Sequence, residues 1–213
     1  MNPVKKFFLT GIGTEIGKTI VSAILVEKLK ADYWKPIQSG SLEETDTQRV
    51  KSLIINKKTQ FHPEAIKLIH PYSPHKAADM ENRYLRISEI LPPNSSNTLI
   101  CEGAGGLMVP INEKETNLDL IRYLGYPIIL VSRIYLGSIN HTLLSIEKIR
   151  SEKLPFIGII FVGEKDPYTE DYIAQFTEAP ILGRIPFLET IHPQSIKAAG
   201  DHLNFNLGDL AII

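Results

Sequence analysis

"GIGTEIGKT", residues 11–19, lies between the apolar run at 4–9 and a stretch with helical spacing, so a glycine-rich turn joins a strand directly to a helix. Such a turn leaves backbone N–H groups pointing outward at a helix N-terminus, where the helix dipole also favours negative charge. That is a phosphate cradle. Gly11 and Gly17 allow a close backbone approach, Lys18 suits the β and γ phosphates, and the Thr19 hydroxyl suits Mg²⁺. The common phosphate-loop pattern keeps four residues between its first glycine and Gly-Lys-[Ser/Thr]. Here five residues separate Gly11 from Gly17.

Further β-type runs follow at 33–37 ("YWKPI"), 97–101 ("NTLIC"), 127–131 ("PIILV"), 156–162 ("FIGIIFV") and 179–185 ("APILGRI"). With "FFLT" at 7–10, most read as continuously apolar, the pattern of strands covered on both faces. Helical stretches are expected between them. Residues 17–30 set Val21, Leu25 and Leu29 on one side, and 45–55, 117–124, 138–150 and 169–176 are weaker candidates. The alternation predicts an α/β fold: a mostly parallel sheet with helices on both faces and ligands at the carboxyl ends of the strands. Residues 56–96 are rich in proline and poor in periodicity, and are expected to form an irregular excursion carrying short helices within a single domain spanning 1–213.

The 213 residues carry 23 Lys+Arg against 24 Asp+Glu with no long single-sign run, so no broad field draws in nucleic acid or acidic lipid. An anion must be gripped locally. One cysteine, Cys101, excludes an intramolecular disulfide and a multi-cysteine zinc site, and reads as inert core within an apolar strand. The N-terminal apolar stretch is too short for a signal-peptide core, and no run approaches the ~18 residues of a membrane span. A cytoplasmic location is expected.

Residues just past each apolar run are chemically useful. Lys35 follows "YW" and precedes "QSG" at 38–40; Glu102 follows "TLIC" and precedes "GAGG" at 103–106; "LGSINH" at 136–141 enters another helix. Lys35 is either a solvated strand-end charge or, sharing an edge with Lys18, a stabiliser of charge developing in phosphoryl transfer. Thr19, Glu102 and an acid near 45 could supply oxygen ligands to Mg²⁺. Asp46 is the candidate acid, with Glu43 and Glu44 close by and an ordinary helix-start acid as its bland reading. Gly137 to His141 read as a second helix-start anion site with Ser138 as N-cap. His141 is either a ligand or a packed, hydrogen-bonded side chain.

"GIGTEIGKT", "WKPIQSG", "SPH" (73–75), "CEGAGGLMVPI", "LGSINHTLL" and "ILGRIP" (181–186), in this order, resemble the dethiobiotin synthetase family, whose phosphate loop has the same five-residue gap. The resemblance implies a P-loop NTPase-like fold and ATP-dependent closure of a ureido ring on 7,8-diaminononanoate with CO₂. It also implies Mg²⁺, small-molecule substrates, no nucleic acid or membrane partner, and a homodimer with the active site at its interface. By motif position, Gly13, Thr14, Glu15, Ile16, Gly17, Lys18, Thr19 and Ile20 bind nucleotide, with Lys18 and Lys35 catalytic. Thr19, Asp46 and Glu102 serve the metal, Asp46 and Glu102 also bordering the nucleotide. Gly103, Ala104 and Gly105 lie beside the nucleotide, and Ser39 and Gly106 contact the diamine. Gly137, Ser138, Ile139 and Asn140 receive the carboxylate tail of a substrate bound to the partner subunit. Family members commonly read adenine with an asparagine after the "GIIF"-like strand. This chain has Val162 and Gly163 there, so base recognition falls to backbone groups or to the loop with Ile185, Pro186 and Phe187.

Readings from other classes are a partition or septum-positioning ATPase switch, an amide-forming synthetase domain and a non-catalytic nucleotide-binding module. The switch proteins typically carry a further lysine near the loop's start, where this chain has Ile12 and Gly13. The amide-forming enzymes usually continue into a glutamine-hydrolysing domain, whereas this sequence stops at Ile213.

Overall fold

The computed structural model describes residues 5–204. Among these residues nine strands are formed: β1 (Lys6–Gly11), β2 (Asp32–Trp34), β3 (Ile37–Ser39), β4 (Phe61–His62), β5 (Ile66–Leu68), β6 (Leu99–Gly106), β7 (Ile128–Arg133), β8 (Phe156–Val162) and β9 (Ile181–Ile185). The described residues also form seven α-helices: α1 (Lys18–Leu29), α2 (Asp46–Leu53), α3 (Pro74–Met80), α4 (Asn117–Leu124), α5 (Ser138–Ser151), α6 (Pro167–Thr177) and α7 (Pro193–Ala199). The main sheet runs β4-β2-β6-β1-β7-β8-β9, and all its pairings are parallel. From β1 the chain moves to one side through β2 and later to the other through β7, β8 and β9. The carboxyl end of β1 therefore opens where the winding reverses, the place such sheets offer a ligand.

Alternation along each strand divides the core in two. Phe8, Trp34, Cys101, Leu130 and Phe161 join the apolar cluster on one face, while Phe7, Leu9, Tyr33, Ile100, Val131 and Ile160 join the other. Continuous apolar runs in the sequence are the consequence of this double burial.

The structure departs from expectation at several points. The run 33–37 is not one strand. Pro36 offers no N–H to continue a ladder, so β2 stops at Trp34, and Ile37–Ser39 pairs instead with β5 in a separate two-stranded parallel sheet. Strand β6 runs through the glycines to Gly106 rather than ending at Cys101, placing Glu102 inside the strand opposite Leu9. Glycine is needed there because a Cβ on Gly103 would sit 2.6 Å from the Phe8 ring. The excursion at 56–96 holds α3, as expected of it, and also β4 and β5, whose two and three residues are too short for a periodic signal. Helix α7 was not expected either: only Ile196 and Ala199 of its seven residues are buried.

Helix α1 was expected to bury one stripe. It is enclosed on almost every side, with Val21, Ser22, Ala23, Ile24, Leu25, Val26 and Glu27 all buried between the sheet, α2 and α7. The phosphate loop thus leads into a helix packed on most of its sides. Ile24, off the expected stripe and fully buried, tests this: Ile24→Ala should cost about 2–5 kcal/mol in chemical denaturation. A loss below about 1 kcal/mol would mean that this face of the helix is not tightly packed.

Candidate active site

The loop before α1 ends on Gly17, which caps the helix in a left-handed conformation (φ 94°). A Cβ there would be strained and would sit 3.3 Å from Val162. Thr14, Glu15, Ile16, Gly17, Lys18, Thr19 and Ile20 line one wall of a cleft of about 860 Å³ at the carboxyl ends of β1, β2 and β6. Lys35, Ser39, Asp46, Glu102, Ala104 and Gly105 line it as well. Both lysines singled out from the sequence therefore reach one cleft.

Lys35 is 4% exposed, and its Nζ lies 2.7 Å from Asp46 Oδ2 and 3.1 Å from Glu102 Oε1, and donates to Gly103 O at 3.3 Å. Burial works against its charge, but Glu102 and Asp46 outweigh that and hold the ammonium above the usual lysine range. For Asp46 burial likewise opposes charge, and Lys35, Thr19 and Lys18 together hold the carboxyl below the usual range. Lys18 differs. Its Nζ donates to Gly13 O at 3.0 Å, and burial lowers its pKa to about 8 because Glu102 and Asp46 only partly offset desolvation and the charge of Lys35.

Thr19 Oγ1 lies 2.9 Å from Asp46 Oδ1 and 3.1 Å from Glu102 Oε1. Its single proton can serve one of them at a time, so three hard oxygens face a common point with more acceptors than donors. That donor set, two carboxylates and a hydroxyl, fits Mg²⁺. Among the described residues no group of three or more His, Cys, Asp and Glu is arranged for a metal. Among Glu43, Glu44 and Asp46 the bonds to Lys35 and Thr19 come from Asp46; Glu44 lines the cleft without those bonds. Asp46 follows the N-cap Thr45, and its N–H donates to Gln38 Oε1 at 3.2 Å.

The glycines after Glu102 are held by Asn117, which donates to the carbonyls of Ala104 and Gly106. Ser39 Oγ is buried at the cleft without a hydrogen-bond partner among the described residues, a polar group left for a ligand. Gly13 and Gly106 line a neighbouring groove of about 390 Å³ with Met108, His141, Leu144 and Lys148. Thr14 belongs to both spaces.

Other expected site residues lie outside the cleft. Val162 packs beside Gly17, the Gly163 N–H donates to Ile185 O at 2.9 Å, and Arg133 lies 5.2 Å from the half-exposed Phe187 ring. Val162 meets the phosphate loop at Gly17, and neither it nor Gly163, Ile185, Pro186 or Phe187 lines the cleft. Gly137, Ser138, Ile139 and Asn140 do not line it either. There the N-cap is Gly137, not Ser138: Ser138 is the first helical residue, and its Oγ accepts from Tyr135 N at 3.3 Å. His141 Nδ1 shares a hydrogen bond with Tyr135 Oη at 2.7 Å.

Sequence reasoning missed Tyr33 and Ser22, whose hydroxyls donate to Glu102 Oε2 at 2.9 and 2.6 Å. It also missed Gln38 and the Tyr72 and Pro74 wall. The signal for Tyr33 was present: two residues before Lys35 along an extended segment, it points to the same face.

A family model described as an AAA domain matches residues 5–195. The fold resembles a ParA family ATPase from Chlorobium tepidum, at 13% identity over 95% of this chain and 99% of that one with a TM-score of 0.54. It also resembles the septum site-determining protein MinD of Pyrococcus horikoshii, at 12% identity, 93% and 95% coverage and a TM-score of 0.55. Phosphate loop, parallel sheet and family match define a nucleotide-using P-loop protein. Curated relatives are more specific. The chain is 53% identical to the ATP-dependent dethiobiotin synthetase BioD of Christiangramia forsetii, over 85% of this chain and 87% of that protein. It is 41% identical to that of Paramagnetospirillum magneticum (89% and 91%) and 42% identical to that of Brucella suis (97% and 97%). The chain belongs to the dethiobiotin synthetase family.

Cys101, adjacent to Glu102, is fully buried, and burial pushes its thiol well above the ordinary range although Lys35 partly offsets this. The native protein should resist alkylation by iodoacetamide at neutral pH and take up one equivalent once denatured, as counted by mass spectrometry. Rapid labelling of the native state would contradict the packing around β6.

Proposed function

We infer that this protein makes dethiobiotin: 7,8-diaminononanoate, CO₂ and ATP give dethiobiotin, ADP and phosphate, a ligase step of biotin biosynthesis. The relatives named above support the activity. The observation that carries the chemistry is the convergence of Lys18, Lys35, Asp46, Glu102 and the phosphate loop on one cleft.

The reaction must bring two anions together. A free amine of the diamine attacks CO₂, loses a proton and becomes a carbamate. A carbamate oxygen then attacks the γ-phosphorus in line, breaking its bond to the ADP oxygen. Finally the second amine attacks the carbamoyl carbon, the carbon–oxygen bond to phosphate breaks, and the ureido ring closes with loss of a proton. The second step needs positive charge between carbamate and γ-phosphate, and a fixed angle of approach. Lys18 and the amides of residues 13–19 hold the β and γ phosphates, and Lys35 turns from its carboxylates to the oxygens that gather charge. Ser39, its hydroxyl unspent, binds the diamine end. Thr19, Asp46 and Glu102 would hold Mg²⁺, which when bound neutralises and orients the phosphates. Gly103, Ala104 and Gly105 border the nucleotide, and backbone groups around Val162, Gly163, Ile185, Pro186 and Phe187 meet the base.

A second copy of the chain completes the site in this reading. The smaller groove joins the main cleft at Thr14, and the exposed Met108 and Leu144 line it, which suits an interface. The diamine's carboxylate would then reach the α5 start of the partner subunit, where Gly137 leaves amides open. We place the enzyme in the cytoplasm, acting as one domain with Gly106 beside the substrate. Similarity to the partition and septum ATPases extends to the fold alone.

Phosphate release measured with ATP, Mg²⁺ and bicarbonate should depend strongly on the diamine; turnover indifferent to the diamine but raised by DNA or vesicles would favour the switch reading. Lys35→Gln should lower ring formation on the order of a hundredfold or more while ATP binding persists; near-normal turnover would remove Lys35 from the mechanism. For Asp46→Asn, the Mg²⁺ concentration giving half-maximal rate should rise on the order of tenfold or more. Unchanged Mg²⁺ dependence would move the role to Glu43 or Glu44.

A further inference from the structure

Glu102 presents its two oxygens to different surroundings. Oε1 faces the cleft, with Thr19 Oγ1 and Lys35 Nζ each 3.1 Å away. Oε2 faces the interior, where Ser22 Oγ donates at 2.6 Å and Tyr33 Oη at 2.9 Å. A carboxylate offers about four lone-pair directions, and here each oxygen meets two partners. We propose that Tyr33 is a positioning residue: its hydroxyl, seconded by Ser22, pins Oε2 of Glu102 so that only Oε1 is presented to a divalent cation in the cleft.

Packing alone does not explain the hydroxyl of Tyr33. Its side chain is fully buried in the apolar cluster beneath α1, with its ring 6.0 Å from Phe61 across the β2–β4 pairing. A phenylalanine would fill the same space. Burying a phenol where an apolar ring would serve is costly unless the hydroxyl finds a partner, and here it donates to Glu102. Ser22 reaches the same oxygen from the second turn of α1, one turn beyond Thr19 on the same helical face. Strand β2, helix α1 and strand β6 thus meet at one carboxylate. The consequence is chemical: Mg²⁺ demands near-octahedral geometry, and a carboxylate free to rotate could offer both oxygens at a poor angle or turn away to another donor. With Oε2 engaged, Glu102 can give one oxygen in one direction.

This inference rests on the reading of Glu102 as a cation ligand, and the experiment separates the two. Mn²⁺ binding to the full chain loaded with a non-hydrolysable ATP analogue is measured by electron paramagnetic resonance for the native protein, Tyr33→Phe, Ser22→Ala and Glu102→Gln. Thermal melts and metal-free analogue binding are recorded in parallel. The Mn²⁺ Kd of Tyr33→Phe should rise on the order of tenfold, with metal-free analogue binding unchanged. Ser22→Ala should shift it in the same direction. In turnover, the Mg²⁺ requirement of Tyr33→Phe should rise while kcat at saturating Mg²⁺ recovers, which loss of packing alone would not produce. Weakened binding in Glu102→Gln with native affinity in both hydroxyl variants would overturn the positioning role and leave the reading of Glu102 standing. Native affinity in Glu102→Gln would overturn that reading and this inference together.

Discussion

Lys35 sits almost wholly buried against Asp46 and Glu102, and the rest of the molecule is arranged around that ion group. Charges out of water are tolerated only where each is met by opposite charge or by hydrogen bonds, and these are met by both. Thr19 brings in the start of α1, Ser22 its second turn, Tyr33 the strand before Lys35, and Gly103 the strand after Glu102. The cluster is therefore a junction of helix α1, which follows the phosphate loop, with α2, β2 and β6. In the free protein the carboxylates hold Lys35, and an incoming anion offers it another partner.

A junction of this kind needs rigid surroundings, and the fold supplies them. Strands β1 and β6 can lie close because Gly103 has no Cβ to meet Phe8. Helix α1 is enclosed by the sheet, α2 and α7, so Lys18 and Thr19 leave from a fixed base. Rigidity matters because phosphoryl transfer offers little covalent chemistry to the protein; position and charge are what it contributes. The separate pair β3 and β5 carries Ser39 toward the cleft on a segment freed from the main sheet by Pro36.

Much of this was legible in the sequence, for physical reasons that differ by element. Strand β8 has the bounds read from its sequence because an uninterrupted apolar run leaves a clear signal, and helix α4 keeps the bounds read from a weaker pattern, with a capping box at Thr116 and Gly125 closing its ends. That Lys18, Thr19, Lys35 and Glu102 share one cleft was legible because the first two follow a glycine-rich turn into a helix and the last two stand just past apolar runs, where strand ends meet. The break at Pro36 was overridden by the apolar residues on either side of it. Tyr33 escaped notice because an aromatic residue in a strand passes for core, and its second role lies in an oxygen whose partner stands 69 residues away. Strands β4 and β5 and helix α7 were invisible because tertiary contacts, rather than any local repeat, hold such short elements in place.

At the centre of the account is the meeting of a carbamate oxygen with the γ-phosphorus beside Lys18 and Lys35. A single rapid turnover with carbon dioxide labelled with heavy oxygen, in ordinary water and followed by mass spectrometry of the released phosphate, tests it most directly. One labelled oxygen in each phosphate is the predicted result, because the oxygen that bridges carbon and phosphorus leaves with phosphate when the ring closes. Phosphate that carries no label, and takes its new oxygen from water instead, would contradict the account.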